Sequence, residues 1–171
     1  MKVPPAAAPT PPPGRPKAGS APLGGSDPQS GGAWGQHFNW PVRVYWEDTD
    51  AGGIVFYANY LKFFERARTE WLRSLGLEQQ ALRTETGGMF VVTDTQTRHH
   101  RPARLDDLLL VTTRLTELGR ASMTLEQVAW LGESPDAQRL CDGQIRIGWV
   151  HAQTMKPGRI PDTLSAKLHN A

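Results

Sequence analysis

The sequence has little cysteine, no long apolar run and no strong excess of one charge. Cys141 is the sole cysteine, which excludes an intramolecular disulfide framework and a cysteine-rich metal site. No stretch of 18 apolar residues is present, so no membrane-spanning helix is expected. The residues after Met1 lack the apolar core of a secretory signal, and the chain is therefore predicted to be cytoplasmic.

The net charge of +2 arises at the N-terminus, where Lys2, Arg15 and Lys17 outnumber Asp27. The remaining residues carry 16 basic and 16 acidic side chains. No broad basic face is implied, and nucleic acid is not expected as a partner.

Residues 1–37 differ in composition from the rest of the chain. They contain nine of the 14 prolines and seven of the 17 glycines, and apart from Trp34 almost nothing large and apolar. Such a segment cannot bury enough surface to offset its ordering entropy. We therefore predict a disordered tail over residues 1–37 and one folded domain over residues 38–171.

The first part of the domain is predicted to be a strand, a turn and a long helix. Residues 40–46 alternate as in a strand, with Val42, Val44 and Trp46 on one side. An acidic, glycine-rich turn follows, and from Asn59 apolar residues recur every three or four positions up to Leu75. Gly76 stands where a left-handed residue ends a helix. A short second helix is predicted within residues 77–86.

Four strands are predicted in the remainder of the chain, because the apolar period changes to two. They cover residues 89–100, 108–118, 122–131 and 140–151, and a short helix is expected within residues 155–171. Mainly short turns join these strands, which predicts antiparallel neighbours. The result is an α+β layer pair with a five-stranded antiparallel sheet. One helix covers only part of one sheet face, so at least a homodimer is expected.

Three motifs of the chain are VRVYWEDTDAGGIVFYANYLKFFERARTEWL from residue 42, RPARLDDLL from residue 101 and MKPGRIP from residue 155. Together they resemble the 4-hydroxybenzoyl-CoA thioesterase family, and within it the Tol–Pal-associated bacterial acyl-CoA thioesterases. The resemblance implies the hotdog fold, in which the sheet wraps around one long central helix. It also implies a hydrolase that cleaves the thioester of an acyl-CoA without metal or cofactor. A homodimer or homotetramer is implied, with cell-envelope or lipid-synthesis proteins as candidate partners.

By the same resemblance, the second acidic residue of the DTD motif, Asp50, is the catalytic carboxylate. A carboxylate can attack a thioester carbonyl directly or act as a base on water. The N–H groups of a helix N-terminus can then bind the developing oxyanion. Gly53 and the backbone of Tyr57 are the implied substrate-positioning groups. Tyr57 matches the hydroxybenzoyl branch, since histidine is expected at this position in the Tol–Pal branch.

Other polar residues have alternative interpretations. Glu65 is a second candidate catalyst, because a related branch uses a helix glutamate, although an ion pair within the ERAR segment is favoured. Arg120 matches a position that binds the phosphates of CoA, although a solvated turn charge is nearly as good an interpretation. Arg104 is the weaker candidate for that role. His99 and His100 are adjacent in a strand, so at most one of them faces the cleft.

Two other functions are compatible with parts of the sequence. Asp48 and Asp50 could form the acidic pair of a metal-dependent phosphohydrolase, although such pairs follow buried parallel strands. For Asp48 a structural hydrogen-bonding role is favoured. A hotdog module that binds acyl groups or cell-envelope proteins without turnover is the remaining alternative.

Overall fold

The computed structural model describes residues 37–135 and 137–170. Apart from His37, the predicted tail lies outside these residues, as does the end of the C-terminal segment at Ala171. Five strands and three α-helices follow one another along the described chain. They are β1 (Phe38–Arg43), α1 (Asn59–Ser74), α2 (Gln79–Thr86), β2 (Gly88–His99), β3 (Leu108–Leu118), β4 (Ser122–Leu131), β5 (Gln138–His151) and α3 (Asp162–His169), with a 3-10 turn at Trp46–Asp48.

Helix α1 lies in the core of the domain. Its apolar stripe is almost completely inaccessible to solvent, and Phe63, Phe64 and Ala67 are fully buried against the sheet. The helix ends as its sequence predicts, because Gly76 has a φ of +68° and donates its N–H to the carbonyl of Arg73. With 16 residues the helix is about 24 Å long and spans the sheet from one end to the other.

All strand pairs are antiparallel, and the order across the sheet is β1-β3-β4-β5-β2. Strands β3, β4 and β5 are neighbours in sequence and in space, as predicted. Strand β2 is different, since it pairs with β5 and lies at the edge, far from β3. The eight residues 100–107 are long enough to cross from one side of the sheet to the other. Strands β2 and β3 therefore need not be neighbours, as strands joined by a short turn are.

The first strand is shorter than predicted. Its ladder with β3 ends at the pair Arg43–Leu108, and Trp46 belongs to the 3-10 turn with 80% of its surface exposed. The prediction that Trp46 lies on the same side of the strand as Val42 and Val44 is therefore wrong. The chain leaves the sheet because Tyr45 donates its N–H to the Oδ2 of Asp48 (2.9 Å), which closes the turn.

The two ends of the sheet bring together different parts of the chain. The end of β1, the beginning of β3 and the end of β2 lie at one end, together with the N-terminus of α1. We call this the site end. The β3–β4 turn, the C-terminus of α1 and helix α3 lie at the other, which we call the far end.

No helix within residues 37–135 and 137–170 is long and apolar enough to cross a membrane.

Candidate active site

Asp50 begins a tight turn at the site end. Its carbonyl accepts the N–H of Gly53 (2.9 Å), and its own N–H is donated to the carbonyl of Ile54 (2.9 Å). Gly53 has a φ of +71°, a backbone conformation that residues with a Cβ rarely adopt. The predicted importance of Gly53 for this turn thus has a backbone reason.

The carboxylate of Asp50 is held on one side only. Its Oδ1 accepts the N–H of Gly52 (2.8 Å), which fixes the side chain against its own turn. Oδ2 accepts no hydrogen bond from the described part of the chain, and Asp50 is solvent-exposed. One carboxylate oxygen is therefore oriented, and the other is available to a substrate or to water.

Asp48, two residues earlier, is in the opposite situation. Only 1% of its surface is exposed. Besides the Tyr45 bond of its carboxylate, its carbonyl accepts the N–H of Phe56 (2.9 Å) and the side-chain amide of Asn59 (3.0 Å). These contacts agree with the structural role favoured for Asp48.

The N-terminus of α1 carries backbone donors that the fold does not use. Asn59 donates its N–H to the carbonyl of Phe56 (2.8 Å), whereas the N–H groups of Tyr57 and Ala58 find no acceptor among the described residues. Donors at a helix N-terminus attract negative charge, because the peptide dipoles add up along the helix. The turn at Asp50 leads directly into this site.

The RPARLDD segment holds the turn and the helix together. Val55 donates its N–H to the carbonyl of Ala103 (2.9 Å), and Ala103 donates its N–H to the hydroxyl of Tyr60 (3.2 Å). Burial raises the pKa of the Tyr60 phenol, although the bond from Ala103 acts in the opposite direction. Ile54 also forms a bridge with Arg104. Arg104 is thus part of the scaffold beside Asp50 through its backbone.

His99 was missed as a site residue, since the two adjacent histidines were interpreted as incidental or, alternatively, as placing one ring in the cleft. Its ring lies 6.4 Å from the ring of Tyr57 and 5.4 Å from that of Tyr60, measured between centroids. His100 points to the other face, where its Nε2 is paired with Asp142. Asn59 was also missed, because an asparagine at the beginning of a helix resembles an ordinary helix residue in sequence.

Glu65 is separate from the Asp50 turn. It lies six residues beyond the beginning of α1 and lines a groove of about 150 Å³ with Arg68, Phe90 and Val92. Its Oε1 accepts a hydrogen bond from Thr69 (2.9 Å), and its charge raises the pKa of Arg68, although burial lowers that pKa more strongly. The hydrogen bond from Thr69 is thus the direct contact of Glu65, and its charge acts on Arg68 within the same ERAR segment.

Arg120 lies at the far end of the sheet. Strand β3 separates it from the Asp50 turn, and at about 3.3 Å per residue the two ends of this strand are roughly 30 Å apart. Arg120 borders a shallow cleft of about 190 Å³ together with Arg159 and His169. The structure does not bring Arg120 and Asp50 of one chain together.

The antiparallel sheet around a central helix is the hotdog fold, and the site combines a carboxylate with unused backbone N–H donors, as thioester hydrolases require. Comparison with known proteins agrees with this class. The model of the thioesterase superfamily matches residues 52–137. The chain belongs to the thioesterase superfamily, and the predicted family, fold and enzyme class are confirmed.

Several relatives share most of the domain. The acyl-CoA thioesterase YbgC of Haemophilus influenzae is 41% identical over 78% of this chain and 95% of its own. The acyl-CoA thioesterase YbgC of Helicobacter pylori is 32% identical over 74% of this chain and 96% of its own. Among solved structures, a probable thioesterase from Bartonella henselae superposes with a TM-score of 0.69 at 34% identity, over 74% of this chain and 100% of its own.

The phosphohydrolase alternative is wrong. Its acidic pair requires two carboxylates that follow a buried parallel strand and face one metal ion. Within residues 37–135 and 137–170 every strand pair is antiparallel, and Asp48 is buried while Asp50 is exposed.

Proposed function

We propose that the protein hydrolyses acyl-CoA thioesters to a free acid and CoA, with Asp50 as the catalytic carboxylate. The observation that carries this proposal is the position of Asp50 in a rigid turn that leads into unused N–H donors at the N-terminus of α1. Relatives named acyl-CoA thioesterases, 41% identical to this chain, support the substrate class.

In this mechanism the thioester carbonyl oxygen binds at the N–H groups of Tyr57 and Ala58. The Oδ2 of Asp50 attacks the carbonyl carbon, or it removes a proton from a water molecule that attacks in its place. The carbon becomes tetrahedral, and the two donors and the helix dipole stabilise the negative charge that grows on the oxygen. Collapse of the tetrahedral species expels the thiolate of CoA. In the general-base route Asp50 returns the proton to the thiolate and the free acid is released, whereas in the nucleophilic route water hydrolyses the anhydride formed with Asp50.

Replacement of Asp50 tests this assignment. In Asp50→Asn the Oδ1 acceptor for Gly52 is retained, so the turn keeps its shape while the charge is lost. We expect acyl-CoA hydrolysis to fall by at least about 100-fold in Asp50→Asn and Asp50→Ala, with unchanged thermal unfolding. Glu85→Gln, at an exposed carboxylate on α2, is the matched control and should retain full activity. Full activity in the Asp50 variants would refute the assignment of Asp50 as the catalytic carboxylate. Tight acyl-CoA binding by the wild type without turnover would favour the non-catalytic module.

The two roles of Asp50 differ in where solvent oxygen is incorporated. In a single turnover in ¹⁸O-water, a general base directs the label into the released acid. A nucleophile forms an anhydride with Asp50, and attack of water on the Asp50 carbonyl of this anhydride places the label in the protein. Mass spectrometry of the peptide that contains Asp50 therefore identifies a nucleophilic role when it detects the label.

The proposed enzyme works as a homodimer or homotetramer. Strand β2 supports this, because it is a 12-residue edge strand whose second half is exposed. Long exposed edges of this kind pair with other chains. Arg120 lies too far from Asp50 of its own chain, so we assign it to the CoA phosphates bound at the Asp50 of a partner subunit. A cytoplasmic location, a Tol–Pal association and cell-envelope or lipid-synthesis partners remain predictions.

A further inference from the structure

His99 lies on the side of β2 that faces α1. In the register of β2 with β5 it is paired with Cys141, which is buried, and the alternation of the strand places His100 on the opposite face. Thr97 shares the inner face with His99, since its methyl group lies near the position that a Cβ on Gly143 would take, beside Phe64. The imidazole of His99 therefore projects from the sheet towards the first turn of the helix.

The strand end that carries His99 is held from both directions. His100 and Arg101 both donate their N–H groups to the carbonyl of Leu140, at 2.8 and 3.2 Å. On the outer face, the imidazole of His100 is paired with Asp142, and Arg139 also approaches this carboxylate at 3.6 Å. His99 is thus carried by a fixed piece of backbone, although its own ring is exposed.

The two tyrosines that His99 contacts differ in how firmly they are held. Tyr60 is 3% exposed, and its hydroxyl accepts the N–H of Ala103. Tyr57 is 66% exposed, and the only other ring beside it in the described chain is that of Phe56, at 4.6 Å, which is itself 41% exposed. Among the described residues, His99 is therefore the aromatic link between the fixed ring of Tyr60 and the exposed ring of Tyr57.

We propose that His99 is a positioning residue, whose ring holds Tyr57 so that the backbone N–H of Tyr57 points at the substrate carbonyl. This inference rests on the proposed function, in which that N–H stabilises the oxyanion. The contacts of His99 with both tyrosines are tilted or edge-to-face, the arrangement that aromatic pairs prefer. Fixing the Tyr57 ring restricts its χ1 angle and the backbone that carries it. A small displacement of an oxyanion donor is costly, because the hydrogen bond forms fully only in the transition state.

The first test compares three variants with the wild type in acyl-CoA hydrolysis. His99→Ala removes the ring, and we expect kcat to fall about tenfold or more with KM changed less than about twofold. His99→Phe keeps an aromatic ring without titratable nitrogen, and it should restore most of kcat. His37→Ala, at an exposed histidine immediately before β1, is the control and should leave kcat unchanged. Thermal unfolding of all three variants separates these effects from a loss of folded protein.

The second test is a double-mutant cycle with Tyr57. Since His99 acts through the Tyr57 side chain, His99→Ala should lower kcat much less in a Tyr57→Ala background than in the wild type. Wild-type kcat in His99→Ala, failure of His99→Phe to restore kcat, or fully additive effects with Tyr57→Ala would each overturn the proposal. The activity of Asp50→Asn is measured separately and tests the proposed function itself. Failure of the positioning role is therefore distinguishable from failure of the proposed function.

Discussion

Asp48 and Asp50 show how one residue type serves two purposes two positions apart. A buried carboxylate is destabilising unless it is hydrogen-bonded, and the carboxylate of Asp48 accepts the N–H of Tyr45. Its carbonyl accepts the N–H of Phe56 and the side-chain amide of Asn59. Asp50 stays in solvent and uses only one oxygen to hold its turn. The first residue stabilises the loop, and the second is available for chemistry.

Cys141 is the opposite case, because the fold makes its thiol unreactive. Burial, and then the charge of Asp142, raise the pKa of its thiol to about 12. The raised pKa means that the thiol stays protonated at pH 8, where an unfolded cysteine is partly ionised. We expect iodoacetamide at pH 8 to label the native protein at least about 100-fold more slowly than the protein unfolded in urea. Equal labelling rates, followed by mass spectrometry, would contradict this prediction.

At the residue scale, the sequence was sufficient to propose Asp50 but not to predict its surroundings. The proposal of this carboxylate and of the donor at Tyr57 depended on the resemblance of the whole motif to the family, because an aspartate in a turn is usually a turn or capping residue. The contacts of His99 were not accessible, because they arise where β2 returns beside α1 after some 40 residues of intervening chain. Arg120 was proposed from its turn, and only the order of the strands reveals that a whole strand separates it from Asp50.

At the element scale, helix α1 follows its sequence most closely. It begins at Asn59 and ends before Gly76, as its apolar period and glycine predict. Strand β1 deviates, because the alternation of Trp40 to Trp46 continues after the hydrogen-bond ladder has ended. Alternation alone does not reveal where a partner strand begins, and here β3 begins at Leu108, opposite Arg43.

The end of α1 supplies a prediction at this scale. The φ of Gly76 is +68°, and the nearest atom to an added Cβ is the Nζ of Lys167 at 3.5 Å, so space is not limiting. Gly76→Ala should therefore lower the free energy of unfolding by about 1 kcal/mol through backbone strain alone. Gly76→Asn is the matched control and should cost less, because asparagine tolerates the left-handed conformation. Urea unfolding of both variants measures the difference, and an equal cost would show that strain is not the cause.

At the scale of the whole molecule, β2 is an edge strand of the sheet. Its inner face carries Val92, which is 53% exposed beside the groove of Glu65 and Arg68. The sequence predicted an uncovered sheet face and hence a partner chain. It did not predict that β2 would be the exposed edge, since the strand order depends on the crossing of residues 100–107.

Substitution of Val92 tests whether this edge is the subunit contact. Val92→Glu places a charge on the exposed part of β2, and we expect the oligomer to dissociate at micromolar concentration and activity to fall with it. Met155→Glu, at a residue that is 54% exposed in the loop after β5, is the control and should remain oligomeric and active. Analytical ultracentrifugation measures the mass of both variants. A Val92→Glu oligomer with wild-type mass would place the contact elsewhere.

The length of β3 has a consequence for mixtures of defective chains. If Arg120 serves the Asp50 of a neighbour, Asp50→Asn and Arg120→Ala damage different halves of each centre. Refolding the two variants together should then rebuild intact centres, since a mixed dimer contains one undamaged pair. Random exchange in a dimer places about a quarter of all centres in this state, so about a quarter of wild-type activity should return at low acyl-CoA concentration. A mixture no more active than the average of its components would assign Arg120 to its own chain or to no centre at all.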